Sequence, residues 1–479
     1  MKRFTLLLYI VLFGFVVVTY SDFQYDSFFN LKILFDIIYS VQAILILYYL
    51  VFISLLIISF LLLNRLKRIN NDLNLSLMEL FLFVFGVYFT VGGFLNAVTA
   101  YYEFPKIPMA IDIGLYNNIL CLIIIVSFYF LFNFLFSLRK AQDLKKITLI
   151  DLEKLRKSAI ILFLLSIVGI LLYWKYYGSI PVFSGFGISN INMDITEKIP
   201  IWVTYLSDLF PIYALYIGIY YISKKRKDLL VTALLLLLLI LLILTGVRFP
   251  LIVSFVLSFT LLYPFIRENK KYIIQIALIL MIIYSMLGVW RNRDTSKIAI
   301  PGVFMVVGQM GVEFSEYSRL LAVLNTPTYH PSNRSGNEII YDNMIIPSLP
   351  STVWSIVGVN RKDFKELTYL TFGKLIYNSN FTGIRPGVFG EVYYGFGVPG
   401  LIGWSICLAF LINYFDYKRK YYQSFSQDSF YYIITNLWGV ILTLTVFNQI
   451  NNTVHFFTTS FIMFYVIYSF SKSEVITNE

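Results

Sequence analysis

An arginine between two long apolar runs is the first residue whose position suggests chemistry. Arg248 lies in LTGVRFPLI, a very short turn between two apolar segments. A guanidinium can hold a phosphate through two parallel hydrogen bonds, so this turn predicts an anion-binding site. The alternative is a structural role, in which the side chain extends from a helix end to the water interface.

Two further arginines follow another apolar run. Arg291 and Arg293 lie in WRNRD, where Asp294 comes directly after them. Both guanidinium groups could reach a phosphate at the surface of the apolar layer. They could equally anchor the helix end or form an ion pair with Asp294, and the sequence leaves both readings open.

The segment 383–404, GIRPGVFGEVYYGFGVPGLIGW, combines charge, aromatic rings and glycines. Arg385 and Glu391 are expected just outside the membrane, and the glycines allow a backbone to approach a ligand closely. Glu391 could act as a general base or bind a sugar hydroxyl, or it could simply complement a helix dipole. Tyr393 and Tyr394 could stack on sugars or belong to an interfacial aromatic belt.

One histidine lies in the long segment 291–395, between two groups of apolar runs. His330, in TYHPSNRSG, could contact a substrate or serve as a base, or it could be an exposed loop residue without a role. We keep it as a candidate for substrate binding.

The composition defines the environment in which these residues must work. Of the 479 residues, 58% are apolar and 14% are charged, whereas soluble chains carry roughly 25% charge. Mean hydropathy is +0.74, and apolar runs long enough to cross a bilayer recur along the chain. The sequence predicts an all-α polytopic integral membrane protein that forms one domain over residues 1–479.

About twelve membrane helices are predicted, the first of which we retain as a helix because no small-residue cleavage site follows it. They lie near residues 4–20, 41–63, 77–98, 109–136, 158–174, 201–223, 229–246, 249–266, 272–290, 396–415, 430–448 and 454–471.

The distribution of basic residues predicts the orientation. With the N-terminus inside, the inner segments carry 23 Lys and Arg residues and the short outer loops carry 5. Cytoplasmic loops collect positive charge, so both termini are expected in the cytoplasm. The same rule accounts for the net charge of +11 without nucleic acid. Residues 291–395 then form one long, partly helical outer loop, which at this length is expected to be functional.

Several classes of chemistry find no support. Cys121 and Cys407 lie in apolar runs and read as small buried hydrophobic residues, and with only two histidines a His/Cys metal centre is not expected. No phosphate-binding loop, dinucleotide fingerprint, nucleophile elbow or HExxH motif occurs. We therefore expect neither a metal nor another cofactor.

Two segments resemble a known family. LTGVRFPLIVSF is similar to the (S/T)G-x-R turn of oligosaccharide repeat-unit polymerases, which assemble O-antigen and capsule. RPGVFGEVYYGFGVPGLI is similar to their G-E-x-Y-x-x-F-G-x-x-G helix entry. The order of helices, arginine turn, long outer loop and Gly-Glu segment also fits. The resemblance implies a GT-C-like membrane glycosyltransferase related to O-antigen ligases. The loop histidine of those ligases has no matching motif at His330.

The resemblance implies the reaction as well. Such enzymes transfer a glycan from undecaprenyl pyrophosphate to a sugar hydroxyl of the next lipid-linked repeat unit, on the outer face of the plasma membrane. Arg248 and Arg385 would stabilise the pyrophosphate leaving group, with Arg291 and Arg293 as further ligands, and Glu391 would be the base of an inverting transfer. Other membrane proteins of polysaccharide assembly are candidate partners. The alternative is a lipid-linked oligosaccharide flippase or polysaccharide transporter, although we find neither internal repeats nor paired broken helices.

Overall fold

The computed structural model describes a set of segments separated by gaps. These are residues 43–69, 75–86, 108–137, 146–181, 199–224, 228–245, 248–266, 387–425, 430–444, most of 456–465, and 472–477. The predicted helices 4–20 and 272–290, and nearly all of the predicted loop 291–395, lie outside the described residues.

The described part contains ten long or medium helices and two short strands. In chain order these are α1 Ala43–Ile69, α2 Leu77–Gly86, α3 Pro108–Ser137, β1 Lys146–Ile150, α4 Leu152–Tyr177, α5 Ile201–Asp208, α6 Phe210–Lys224, α7 Leu229–Thr245, α8 Arg248–Ile266, α9 Gly387–Phe425, α10 Phe430–Thr443 and β2 Lys472–Thr477. Further helical residues occur at 456–457, 459–461 and 463–465.

Five of the described spans are long and apolar enough to cross a bilayer. They are Leu47–Lys67, Tyr116–Phe136, Leu152–Tyr177, Trp202–Lys224 and Gly395–Gln423. Apolar side chains on α1 and α4, among them Leu47, Leu61 and Ile161, are exposed. Such surfaces fit a lipid environment, so the chain is a membrane protein; the predicted count of about twelve helices extends beyond the described part.

The helix predicted over 201–223 is interrupted at one residue, although the chain continues as a single span. α5 ends at Asp208 and α6 begins at Phe210, with Leu209 between them. Pro211 has no N–H to donate to the carbonyl of Ser207, and its ring crowds the preceding turn. The interruption at Leu209 therefore lies two residues before the proline, within the turn that its ring crowds.

Close helix contacts hold the described bundle together. α9 packs against α3 and α10, and α6 packs against α4, α7 and α8. α4 and α5 approach so closely that a Cβ on Gly169 would lie 2.6 Å from the carbonyl carbon of Leu206. Small residues permit such approaches between membrane helices, where packing replaces the hydrophobic effect as the driving force.

A two-stranded antiparallel ribbon adds strands to an otherwise helical architecture. β1 pairs with β2, with Ile147 opposite Ile476 and Thr148 opposite Val475. The all-α prediction missed this ribbon because each strand is short and flanked by charged residues. Both strands fall in segments predicted to be cytoplasmic, and their pairing places the two segments on one side.

The two cysteines differ in their surroundings. Cys121 is buried, as expected, but Cys407 is exposed on α9, and both thiols are free. The expectation of burial was wrong for Cys407 because an apolar run does not tell which helix face turns outward.

Candidate functional site

Glu391 lies on a buried segment at the start of α9. Its helix begins at Gly387, nine residues before the predicted start, and the glutamate is only 1% exposed. The neighbouring Val388, Phe389 and Val392 are buried with it. Apolar neighbours thus bring Glu391 into the packed interior of the protein, four residues before the apolar span Gly395–Gln423 begins.

α9 is interrupted six residues after Glu391. Gly397 has φ 63° and ψ −151°, which is not a helical conformation. Side chains make this backbone region costly, and glycine adopts it without steric penalty. The segment carrying Glu391 is thus a separate short helix joined to the long helix at Gly397.

An aromatic contact joins this short helix to α2. The rings of Phe389 and Phe85 meet edge to face with centroids 5.9 Å apart. Tyr393 is half-buried and packs against the core, on the same segment as Glu391. Tyr394 continues the helix.

Arg248 is the first residue of α8. Pro250 occupies the first turn of this helix, where a missing N–H costs nothing. The unpaired N–H groups of a helix start attract anions. An arginine at this position adds full positive charge to the same end of the helix.

The other sequence candidates lie outside the described residues. These are Arg291, Arg293, His330 and Arg385. Of the predicted site, the structure therefore locates Glu391, Tyr393 and the backbone of Arg248 and Tyr394.

A different set of charged residues forms three ion pairs in or beside segments predicted to be cytoplasmic. These are Lys67–Glu79, Arg156–Asp228 and Arg419–Asp416. Lys67 on α1 donates to both carboxylate oxygens of Glu79 on α2, at 2.9 and 2.8 Å. This pair joins two consecutive helices.

The most buried of these pairs connects four helices. Asp416 and Arg419 on α9 are 2% and 4% exposed, with 3.0 Å between the guanidinium and the carboxylate. Asp416 accepts hydrogen bonds from the N–H of Leu77 at 3.1 Å and from the Tyr129 hydroxyl at 3.0 Å. Arg419 also donates to Asn436, which in turn donates to Tyr216. Sequence reasoning counted Arg419 as a cytoplasmic loop charge, and only the acidic residue three positions earlier could have indicated a pair within a helix.

The third pair lies where α4 and α7 begin. Arg156 and the Tyr221 hydroxyl both donate to Asp228, whose carboxylate also accepts from the N–H of Val231 at 3.1 Å. The hydrogen bond from Arg156 lowers the pKa of Asp228 to about 2. Asp228 is thereby fixed as an anion that caps α7.

Within the described segments, no group of three His, Cys, Asp or Glu side chains is arranged to hold a metal ion. Of the groups predicted from the sequence, these segments contain the carboxylate of Glu391, the phenol of Tyr393 and the helix start at Arg248.

Comparison with known proteins also covers residues that the structure does not describe. A family model described as O-antigen polysaccharide polymerase Wzy matches residues 23–474, which is nearly the whole chain. No curated protein and no solved structure gives a significant match.

Proposed function

Because the chain belongs to the O-antigen polysaccharide polymerase Wzy family, we propose that it joins undecaprenyl-pyrophosphate-linked oligosaccharide repeat units into surface polysaccharide at the outer face of the plasma membrane. The family match over residues 23–474 is the observation that carries this proposal. It favours a polymerase over the flippase considered from the sequence.

The substrate class agrees with a membrane-embedded enzyme. A repeat unit attached to a polyprenyl carrier remains in the bilayer while its sugars and pyrophosphate stand at the surface. Helices that span the bilayer can present side chains at that level to two such lipids. Both donor and acceptor then reach the site by diffusion in the membrane plane.

The reaction is a displacement at the anomeric carbon of the growing chain. The bond from this carbon to the pyrophosphate oxygen breaks, and a bond to a hydroxyl oxygen of the acceptor sugar forms. The electron pair of the broken bond leaves with the pyrophosphate, and the hydroxyl proton goes to a base. A single displacement inverts the anomeric configuration and requires no metal ion in this scheme.

We assign the stabilisation of the leaving group to Arg248. It begins α8, where free N–H groups already favour an anion. Arg385, Arg291 and Arg293 are proposed as further ligands of the pyrophosphate. Charge that develops in the transition state is stabilised by such prearranged donors, each worth about 3 kcal/mol.

We assign the base to Glu391. Its burial on the short helix of α9 keeps the carboxylate away from bulk water. Electrostatic interactions are stronger in such an interior than they are in water. Tyr393 and Tyr394 are proposed to hold the acceptor sugar beside it by stacking and hydroxyl contacts. His330 is proposed as a contact to the glycan.

A glycan size profile tests the proposal. Cells with and without the gene are compared on a gel stained for polysaccharide, with the deleted strain complemented by the wild-type chain. We expect the ladder to collapse to a single repeat unit upon deletion and to return upon complementation. Loss of all surface glycan, with repeat units retained on the inner leaflet, would instead identify a flippase.

A further inference from the structure

The two parts of α9 meet at a sharp bend at Gly397. A Cβ placed on Gly400 would lie 3.1 Å from the carbonyl oxygen of Val392. In a straight helix, residues eight apart are about 12 Å apart along the axis. This closeness therefore requires a sharp bend between the short helix before Gly397 and the long helix after it.

Burial differs between the short helix and the bend at Gly397. The short helix buries Val388, Phe389 and Glu391, and Phe389 reaches the ring of Phe85 on α2. Directly at the bend, Phe396 and Val398 are each 40% exposed. The short helix thus leaves the axis of the long helix at the bend and packs against α2 with Glu391 buried on it, and we refer to it as the re-entrant helix.

Two glycines make this arrangement possible in different ways. Gly397 supplies the positive φ of the turn, which L side chains rarely adopt. Gly400 supplies space, because its Cβ would lie 2.4 Å from the Cβ of Phe396 as well as 3.1 Å from Val392. Neither neighbour can yield without moving the short helix, since one contact involves a Cβ atom and the other a backbone oxygen.

We propose that Gly397 and Gly400 are positioning residues for the polymerase reaction, because they hold the re-entrant helix where Glu391 can act on the acceptor hydroxyl. This inference rests on the role proposed for Glu391. Val392, the residue that Gly400 contacts, directly follows that glutamate, so a shift at residue 400 is transmitted to the carboxylate.

The long helix provides a matched control for the substitution. No atom lies within 4 Å of a Cβ placed on Gly403, so Gly403→Ala adds the same methyl group one turn further on without a clash. Polymerisation is measured in membrane vesicles, with lipid-linked repeat units extracted from the strain that lacks the gene. We expect Gly400→Ala and Gly397→Ala to lower the rate on the order of 100-fold, as small misplacements of a catalytic group do, and Gly403→Ala to leave it near wild type.

Thiol labelling reports the position of the re-entrant helix independently of activity. Val388→Cys, at a side chain that is 1% exposed, is introduced after Cys121 and Cys407 have been replaced by alanine. In detergent, a maleimide should label this thiol only slowly in the parent and in Gly403→Ala. Labelling should be several times faster in Gly400→Ala, and Phe396→Cys marks the rate of an exposed site.

A pH profile separates positioning from a general loss of folded enzyme. Displacement of Glu391 changes its surroundings, so the acid limb of the rate profile should move in Gly400→Ala and not in Gly403→Ala. A purely structural effect would lower the rate equally at every pH and would contradict the proposal.

The remaining outcomes also decide the question. Faster labelling with full activity, or lost activity with unchanged labelling, would overturn the positioning role. Full activity of Glu391→Gln would overturn the base assignment on which it rests, whereas the labelling of Gly400→Ala would still decide whether the glycine holds the helix in place.

Discussion

The two ends of α9 place carboxylates in contrasting surroundings. Near its C-terminal end, Asp416 binds Arg419, the N–H of Leu77 and the Tyr129 hydroxyl, so it joins helices as a structural group. Near its N-terminal end, Glu391 lies on a short re-entrant helix whose position depends on a glycine turn. One carboxylate holds its neighbours in place, whereas the other is itself held by the fold of the chain. Burial alone therefore does not identify a catalytic carboxylate, and its connections must be considered.

The largest expected effect comes from the carboxylate assigned to catalysis. Glu391→Gln keeps the shape of the side chain but removes the base, so the rate should fall by about 10²- to 10⁴-fold. Thermal stability in detergent should stay near that of wild type. The rate is measured with extracted lipid-linked repeat units, and Glu153→Gln on the exposed start of α4 is the control. If Glu391→Gln still produced polymer of full length, Glu391 would not be the catalytic base.

The opposite pattern is expected for Asp416. Asp416→Ala leaves a buried guanidinium without its carboxylate, which should cost about 3–5 kcal/mol of stability. The amount of folded protein after heating in detergent should fall, while the rate per folded molecule should change little. The double variant Asp416→Leu with Arg419→Met should recover much of the stability, because an apolar pair can replace a buried ion pair. A catalytic loss that exceeds the loss of folded protein would contradict a structural role.

Arg248 tests whether the start of α8 belongs with the functional end. Arg248→Ala should reduce polymerisation on the order of 100-fold, corresponding to about 3 kcal/mol of transition-state stabilisation. Lys175→Ala removes an exposed cation at the end of α4 and serves as control. Unchanged polymer length in Arg248→Ala would refute the pyrophosphate role.

The smallest effect concerns the ion pair between α4 and α7. Because the pKa of Asp228 is lowered to about 2 in the folded protein, its pairing contributes stability above the unfolded value of about 3.9. This contribution is lost as the pH falls from about 4 towards 2. Wild type should therefore lose more thermal stability than Asp228→Asn across that interval, and both should behave alike in activity at neutral pH. Parallel loss in the two proteins would show that the pair contributes nothing measurable.

Sequence patterns located individual helices well. The predicted segments 109–136 and 229–246 correspond to α3 and α7 within one residue at each end, because long apolar runs determine membrane helices directly. Charge at the ends of such runs also drew attention to Glu391 and Arg248, which the structure places near the starts of α9 and α8; their roles remain predictions. The short helix that begins at Gly387 and its bend at Gly397 were not predicted from the sequence. The position of this helix depends on contacts with residues far away in the chain, such as Phe85.

Pairing between distant charges was also missed. Arg419 entered the prediction only as one positive charge among the inner segments, which gave the orientation but not its partners. Its bonds to Asp416 on the same helix and to Asn436 on the next depend on how the helices rotate about their axes. A count of charges contains no information on that rotation.

The ribbon between β1 and β2 has a consequence for the order of assembly during synthesis. Lys146 pairs with Thr477, more than three hundred positions later. β1 must therefore remain beside α4 without its partner strand, and with the edge that β2 will occupy unpaired, until nearly all of the later helices have been inserted. Closure of the ribbon can only be a late event, and a chain that stops before residue 472 would leave that edge open to other partners.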